Sequence, residues 1–331
     1  MIIALVLNTR TQEDEFEVEY DPPHTIELIK HGILETGHEY AFIEADENFL
    51  ESLKEIKPDL VFNRAEGRRG ESRESHVQAI LEMSEIPYVG SNILTTALAL
   101  NKTWTKKYLA FHKVLTPKFY TISNLEQIGK TNFPFPVILK PNEEGSSMGI
   151  DVDNVVYNHE ELRNKLKYMI EKYKQTILIE QFIQGREFSV GLLGRGDNDP
   201  EILSIIEIDF PKLPPETKNV FGQTAKTQYD SLENYICPAK IPKDLKKRLH
   251  RISTNIWNSI EVKDFARIDF RMNSKKDIYF LEINPLPGMD FDLEHNDFSF
   301  FPYMAMNSGY SYDELIRRIL ESACLRYNLE L

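Results

Sequence analysis

The chain has 331 residues, 41% hydrophobic and 27% charged, ordinary proportions for a soluble globular protein and enough for two or three domains with sizeable cores. A net charge of −13 argues against nucleic acid or an anionic membrane as a partner, since both reward basic patches. Cys237 and Cys324 stand far apart with no CxxC or CxxH context, which suggests neither a zinc site nor a disulfide framework and fits a reducing cytoplasm; no apolar run has the length of a membrane span or the flanks of a signal peptide.

In chain order, 2–7 is a continuous apolar run, as expected of a parallel strand covered on both faces. The spacing then predicts a helix over 25–36 ending at Gly37, a strand over 40–43, a helix over 50–56 and a strand over 60–62. Such alternation implies an open βαβ sheet. The loop after the last strand is dense in glycine and charge, includes Glu66 and Glu71, and lies at the carboxyl end of a strand, where α/β folds place ligands. A helix over 76–83 follows, then helical spacing over 93–109 that contains Lys102, and a domain change is expected near here.

The second region begins with a strand over 135–141 carrying Lys140 at its end and runs into Asn142-Glu-Glu-Gly-Ser-Ser-Met-Gly149. Gly145 and Gly149 permit positive φ, and the backbone N–H groups with the Ser146 and Ser147 hydroxyls suit wrapping a phosphate. No Gly-Lys-Ser/Thr follows, so this is not a Walker A loop, and a plain turn is the alternative reading. Beyond it, 155–173 is helical, 176–182 and 187–193 are strands with Glu180 and Glu187 near their joint, and 202–210 is another strand. A polar loop over 212–230, a helix over 242–260 and a closing helix over 312–326 complete the outline.

Between the last two helices lies a hairpin, 266–288, with its turn at 273–277. A period of two puts Arg267, Asp269 and Arg271 on one face of the first strand, and Glu282 and Asn284 on one face of the second together with Ile278 and Phe280. If the two polar faces coincide, Asp269, Glu282 and Asn284 form a set of hard oxygen ligands suited to Mg²⁺. Two such carboxylates repel without a cation, and Arg267 compensates only one. The alternative is a surface hairpin with one charged face; the apolar Ile278 and Phe280 argue for burial, and buried carboxylates need partners.

With these pieces in order, the chain resembles the ATP-grasp superfamily, and within it the D-alanine-D-alanine ligase family, over essentially its whole length. The resemblance is carried by Ile86-Pro-Tyr-Val-Gly-Ser91, Ala97-Leu-Ala-Leu-Asn-Lys102, Val137-Ile-Leu-Lys140-Pro with Glu144-Gly-Ser-Ser-Met-Gly149, Glu180-Gln-Phe-Ile with Gly185-Arg-Glu187-Phe, Arg267-Ile-Asp269, and Glu282-Ile-Asn284-Pro-Leu-Pro-Gly-Met289. It implies an α/β, three-domain ATP-grasp fold: an N-terminal open βαβ domain (1–100), a central subdomain (101–185) and a C-terminal subdomain (186–331), with ATP between two antiparallel sheets.

The resemblance also implies roles. Lys102 and Lys140 contact the ATP phosphates, and Glu144, Gly145, Ser146, Ser147 and Gly149 form the lid over them. Glu180, Gln181, Phe182 and Ile183 hold adenine, Glu187 the ribose hydroxyls, and Asp269, Glu282 and Asn284 bind Mg²⁺, with Mn²⁺ as the alternative ion. Arg267 and the Gly288 backbone steady an oxyanion, Lys226 lies near the transferred phosphate, and Ser147 joins these three as a catalytic candidate. A substrate carboxylate attacks ATP to give an acyl phosphate, an amine displaces the phosphate, and an amide remains. A cytoplasmic homodimer acting on small amino-acid-like substrates is implied as well.

Departures from the family pattern fall around the substrates. The usual Gly-Gly-x-Ser-x-Glu-Arg after the first strand is Asn8-Thr-Arg-Thr-Gln-Glu-Asp here, and the expected His-Gly-x-x-Gly-Glu-Asp-Gly is Ala65-Glu66-Gly67-Arg-Arg-Gly70-Glu71-Ser. Thr227 replaces the tyrosine that commonly follows the loop lysine, and Asp290-Phe-Asp-Leu-Glu-His-Asn-Asp297 is inserted ahead of Ser299. Glu66, Glu71, Asp290, Asp292 and Ser299 are therefore candidate substrate contacts, the acidic insertion being either a recognition element for a cationic or polyhydroxylated substrate or a solvated loop. The favoured reading is an ATP-dependent carboxylate–amine ligase for amino-acid-like substrates. The alternatives are a divergent D-alanine-D-alanine ligase and a non-catalytic nucleotide-binding protein, and the complete set of Lys102, Lys140, Glu187, Asp269, Glu282 and Asn284 stands against the last.

Overall fold

The computed structural model describes residues 1–11, 17–130, 134–196, 198–293 and 297–331. Its first sheet is parallel, with Ile2–Leu7 between Glu39–Glu44 and Leu60–Asn63. The apolar run over the first strand is explained by its two covered faces. Ile3, Leu5 and Leu7 join a core shared with the closing helix Tyr312–Tyr327, while Ala4 and Val6 pack with Phe49, Leu53, Val77 and Leu81 on the other side. Contact with that closing helix is close at Gly32, where a Cβ would stand 2.7 Å from Ile316.

The helix expected over 93–109 is two helices, Ile93–Leu100 and Lys102–Phe111, separated by Asn101 in an extended conformation (φ −85°, ψ 93°). The Asn101 side chain accepts the Trp104 N–H at 3.1 Å, giving the second helix a cap that continuing the first would have forfeited. Lys102 is thereby the first residue of a helix.

A second, antiparallel sheet orders Phe119–Ile122, Ile177–Gln181, Val137–Pro141 and Val155–Val156, covered by helix His159–Tyr173. Residues 155–156 are a strand and not the start of that helix, which begins after its N-cap Asn158. The third sheet runs Tyr235–Ile236, Ile206–Ile208, Arg186–Arg195, Phe265–Met272, Ile278–Asn284, with Asn198–Ile202 paired to Arg186–Arg195. The single strand expected over 202–210 is thus two pieces, and the loop expected over 212–230 includes the helix Gln223–Gln228. Helix Lys243–Ser259 packs Leu245, Leu249 and Ile256 against the back of the third sheet. Unforeseen elements are Phe119–Ile122, the pair Phe291–Asp292 with Asp297–Phe298, and the helix Phe300–Met306.

The hairpin forms where expected, yet one expectation about it is corrected. Asp269 pairs with Glu282 but the next residue, Phe270, pairs with Phe280, so the register shifts and Leu281 is an extra residue in the second strand. The bulge reverses the alternation: Ile278, Phe280 and Ile283 all join the core with Ile268 and Phe270, and Ile278 and Phe280 do not share the face of Glu282 and Asn284. Both cysteines are free, and among the described residues no helix is long and apolar enough to cross a membrane.

Candidate active site

Between the second and third sheets, closed on a third side by the N-terminal region, lies a cavity of about 420 Å³, a size ordinary for a small-molecule site. Strand alternation aims one set of side chains into it. From the third sheet come Glu187 and Ser189, then Arg267, Asp269 and Arg271, then Glu282 and Asn284; from the second come Lys140 and Glu180. Lys102 enters from its helix, and Glu144, Gly145, Ser146 and Ser147 from the loop after Lys140.

These groups are strongly coupled. Glu180, 1% exposed, pairs with Lys140 at 2.5 Å and with the fully buried Lys106 at 3.1 Å. Lys106 also donates to the Leu281 carbonyl at 2.7 Å, so one ammonium holds both Glu180 and the bulge. Burial pulls Lys106 below the usual lysine range, whereas the two ammonium groups overcome burial and hold Glu180 low. Glu187 is gripped by Arg271, whose other nitrogen donates to the Asn219 carbonyl at 2.6 Å.

At the hairpin, Asp269 accepts Arg267 Nη2 at 3.0 Å and the Ser189 hydroxyl at 2.5 Å. Glu282 stands opposite Asp269 in the ladder and 3.7 Å from Lys102. Burial alone would raise Glu282, but Lys102, Lys140, Lys226 and Arg267 outweigh it and hold the carboxyl at about 2. Asn284 Oδ1 accepts the Leu286 N–H at 2.9 Å, which fixes its amide. Lys226 is on the cavity wall without an ion pair among the described residues, and burial reinforced by Arg267 lowers its pKa. Four cations, Lys102, Lys140, Lys226 and Arg267, therefore act on the Glu282 carboxyl, which stands opposite Asp269.

The loop over Lys140 has Ser146 (φ 46°) and Ser147 (φ 60°) in the left-handed region, a conformation that costs of order 1 kcal/mol each in non-glycine residues. A Cβ on Gly145 would meet Glu19 Oε1 at 2.2 Å, so any larger residue there would displace the Glu19 carboxylate. Arg73 ties this loop to the N-terminal region: it bonds Glu19 at 2.7 Å, Glu144 at 3.2 Å and the Glu143 carbonyl at 2.7 Å. Beside it, burial pushes Glu74 up to about 8 and Glu66 well above the usual carboxylate range.

Gln181, Phe182, Ile183, Gly288, Asp290, Ser299 and Glu66 also reach the wall. A Cβ on Gly288 would stand 2.3 Å from the Ser299 hydroxyl, so its backbone lies against that serine. Three candidates do not reach it: Glu71 is exposed, Asp292 lines a separate groove with His24 and Glu27, and Gly149 turns toward the Tyr173 ring. Glu294 of the acidic insertion and residues 12–14 of the missing motif lie outside the described residues. Wall residues that sequence reasoning missed include Asp21, Arg64 and Ser189. Ser189 was available from the period of two after Glu187, and the buried Lys106 from its place one helical turn beyond Lys102.

The family model described as "D-ala D-ala ligase C-terminus" matches residues 107–321. The D-alanine–D-alanine ligase of Aquifex aeolicus is 33% identical over 325 residues, 97% of this chain and all of that one. An uncharacterised protein of Sinorhizobium fredii is 34% identical over 307 residues, covering 88% of this chain and 85% of the other. Among solved structures, D-alanine–D-alanine ligase from Bacillus anthracis complexed with ATP superposes with a TM-score of 0.76 at 24% identity over 99% of both chains. The VanG D-Ala:D-Ser ligase from Enterococcus faecalis gives 0.73 at 21% identity, over 97% of this chain and 99% of that one. The protein is thus an ATP-grasp enzyme, an ATP-dependent ligase that forms carbon–nitrogen bonds. Within that class, the chain belongs to the D-alanine–D-alanine ligase family.

Proposed function

We propose that the protein joins two amino-acid-like substrates, activating the carboxylate of one with ATP and condensing it with the amine of the other, and that these substrates differ from the usual D-alanine pair. The observation that carries the reading is the opposition of Asp269 and Glu282 across the hairpin, surrounded by Lys102, Lys140, Lys226 and Arg267. Like charges directly opposed in a ladder are unfavourable, and a divalent cation among the two carboxylates and the Asn284 amide removes that cost. The all-oxygen donor set fits Mg²⁺, with Mn²⁺ as the second choice. When bound, the ion would neutralise phosphate charge and act as a Lewis acid on the transferred group.

The chain's own residues supply the rest. Lys102 and Lys140 hold the phosphates, with Glu144, Gly145, Ser146 and Ser147 as the cover. Glu180 to Ile183 hold adenine, Glu187 takes the ribose hydroxyls, and Lys226 with Ser147 meets the transferred phosphoryl group. Arg267 and the Gly288 N–H stabilise the oxyanion formed as the amine attacks; such donors act strongly where water is excluded. The same reading divides the chain at 1–100, 101–185 and 186–331, supported by the separation of the three larger sheets along the sequence. We extend the proposal to a cytoplasmic protein, with which two free cysteines are consistent, and to a homodimer by likeness to the family alone.

ADP release by the purified protein with Mg²⁺-ATP, against amino acids and dipeptides offered singly and in pairs with mass spectrometry of products, tests this. Turnover with a pair other than two D-alanines supports it. D-alanine alone giving the dipeptide would overturn the substrate proposal, and silence throughout would count against the ligase roles.

A further inference from the structure

Arg271 lines the cavity with Arg267 and Asp269, and the roles above leave it unused. It is 4% exposed and lies across the ladder from Glu187, whose Oε2 accepts Arg271 Nη1 while its Oε1 has no hydrogen-bond partner among the described residues. Nη2 reaches the other way and donates to the Asn219 carbonyl at 2.6 Å. The guanidinium also lies over the Phe210 and Phe182 rings, at 4.7 and 5.4 Å from their centroids. Its Nε is buried without a partner, so the two Nη contacts, and not the group's own satisfaction, set its orientation.

Asn219 belongs to the segment that carries Lys226. Lys218 (φ 46°) and Asn219 (φ 61°) are left-handed in succession, a conformation that non-glycine residues seldom repeat, so the shape is held from outside. Arg271 holds it on the side of the third sheet. On the other side the Gln223 N–H donates to the Ile150 carbonyl at 2.8 Å and the Thr224 hydroxyl to Asp151, just beyond the loop that follows Lys140. That approach is close, since a Cβ on Gly222 would stand 2.5 Å from the same Ile150 carbonyl. The Lys226 N–H bonds the Gly222 carbonyl at 3.0 Å, in the first turn of helix Gln223–Gln228. Two tethers therefore place Lys226, and one of them is shared with Glu187.

We propose that Arg271 is a positioning residue through which the nucleotide's ribose places Lys226, so that the sugar is read in the transfer step and not in binding alone. The inference rests on the roles proposed above for Glu187 and Lys226. A ribose hydroxyl donating to Glu187 Oε1 pins the carboxylate, and the pinned carboxylate keeps the guanidinium turned so that Nη2 stays on the Asn219 carbonyl. A nucleotide without that hydroxyl leaves the carboxylate free to rotate; the bridge loosens, and the left-handed pair relaxes and carries Lys226 away from the phosphates. Only a planar fork spans both acceptors in this way, which a lysine ammonium, a compact point charge, does not reproduce.

The test uses the full chain with Mg²⁺ and saturating ATP, 2′-deoxy-ATP or 3′-deoxy-ATP, saturation being set by calorimetry. Hydrogen exchange of the 217–228 amides reads the segment without turnover. In the parent, ATP slows that exchange at least about tenfold more than one of the deoxynucleotides does, the expectation for one charge-assisted hydrogen bond. Arg271→Lys still binds ATP, with Kd within about tenfold of the parent, but its segment exchanges alike with all three nucleotides. Arg271→Gln reads the same way if that variant does not fold. ADP release adds a second readout: in the parent kcat, and not KM alone, falls about tenfold with the same deoxynucleotide, the ratio returns to about one in Arg271→Lys, and in a Lys226→Ala background Arg271→Lys costs no further kcat. Equal protection by the three nucleotides in the parent, a ratio kept in Arg271→Lys, or losses that multiply in the double variant would overturn the inference. Protection that depends on the sugar and on Arg271, without ADP release from any substrate pair, would uphold the link from sugar to segment and sink the ligase roles; turnover with a segment indifferent to the sugar would do the reverse.

Discussion

Replacing Lys106 with methionine removes one ammonium from beneath the active site and keeps its volume. The group is fully buried, pairs with Glu180 at 3.1 Å and donates to the Leu281 carbonyl at 2.7 Å. Breaking a buried pair from one side costs roughly 3–5 kcal/mol, and an orphaned carbonyl adds ~1–3. Two terms offset this. Glu180 keeps Lys140 at 2.5 Å, and methionine escapes the desolvation that already lowers the lysine. A net loss of about 2–3 kcal/mol remains, which at about 2 °C per kcal/mol for a chain of this size lowers Tm by about 5 °C. Because the same ammonium holds the bulge that sets Glu282 against Asp269, ADP release at saturating ATP should fall by at least ~10-fold as well. Thermal unfolding and steady-state kinetics read the two effects. A Tm within about 1 °C of the parent with unchanged kcat would refute the account of Lys106 as the support of both Glu180 and the bulge.

Asp269→Asn and Glu282→Gln should each lower ADP release by at least ~100-fold with near-ultraviolet circular dichroism unchanged, and normal turnover in both would remove the metal assignment. Glu74, pushed up to about 8 by burial, favours the protonated folded state, so the stability it contributes is full below the ordinary carboxylate range near 4.5 and is lost as pH rises through about 8. Glu74→Gln should therefore raise Tm near pH 9 by several degrees and change it little near pH 5; an equal shift at both would contradict the assignment. Gly185 has φ 146° and would place a Cβ 2.0 Å from the Met272 carbonyl, so Gly185→Ala should cost roughly 2–4 kcal/mol, read as a drop in the urea midpoint.

The elements with a clean period were legible: the parallel strand over 2–7, the helices near 50–56, 76–83 and 312–326, and both hairpin strands. What the period could not carry was a change of phase. Leu281 looks like any apolar strand residue, and only pairing with Phe270 and Asp269 on the neighbouring strand reveals it as an extra one. Asp269, Glu282 and Asn284 do line one cavity together, as their spacing suggested, but the side on which Ile278 and Phe280 lie was not foreseen. Asn101 likewise gave no warning in composition, since an asparagine amid helical spacing is an ordinary residue until its side chain caps a second helix. Motifs rich in lysine, glycine and carboxylate stood out because few residue types suit the phosphate and cation chemistry proposed for them. Asp21 and Arg64 were missed because their pairing joins segments 43 residues apart, with no local pattern to mark it.

The bulge also bears on how this chain can diverge. In a regular strand, losing one residue moves every side chain beyond it to the opposite face. Here the extra Leu281 sits between a stretch that fills the core and one that carries Glu282 and Asn284. Deleting Leu281 alone would close the bulge and leave Phe280 and Ile283 in the core and Glu282 and Asn284 on the cavity side, whereas a single-codon deletion or insertion elsewhere in the strand would carry every side chain beyond it to the opposite face. The turn at 273–277 and the segment after Met289 are free of that constraint, so length variation among descendants of this sequence should collect on either side of the strand and spare the strand itself.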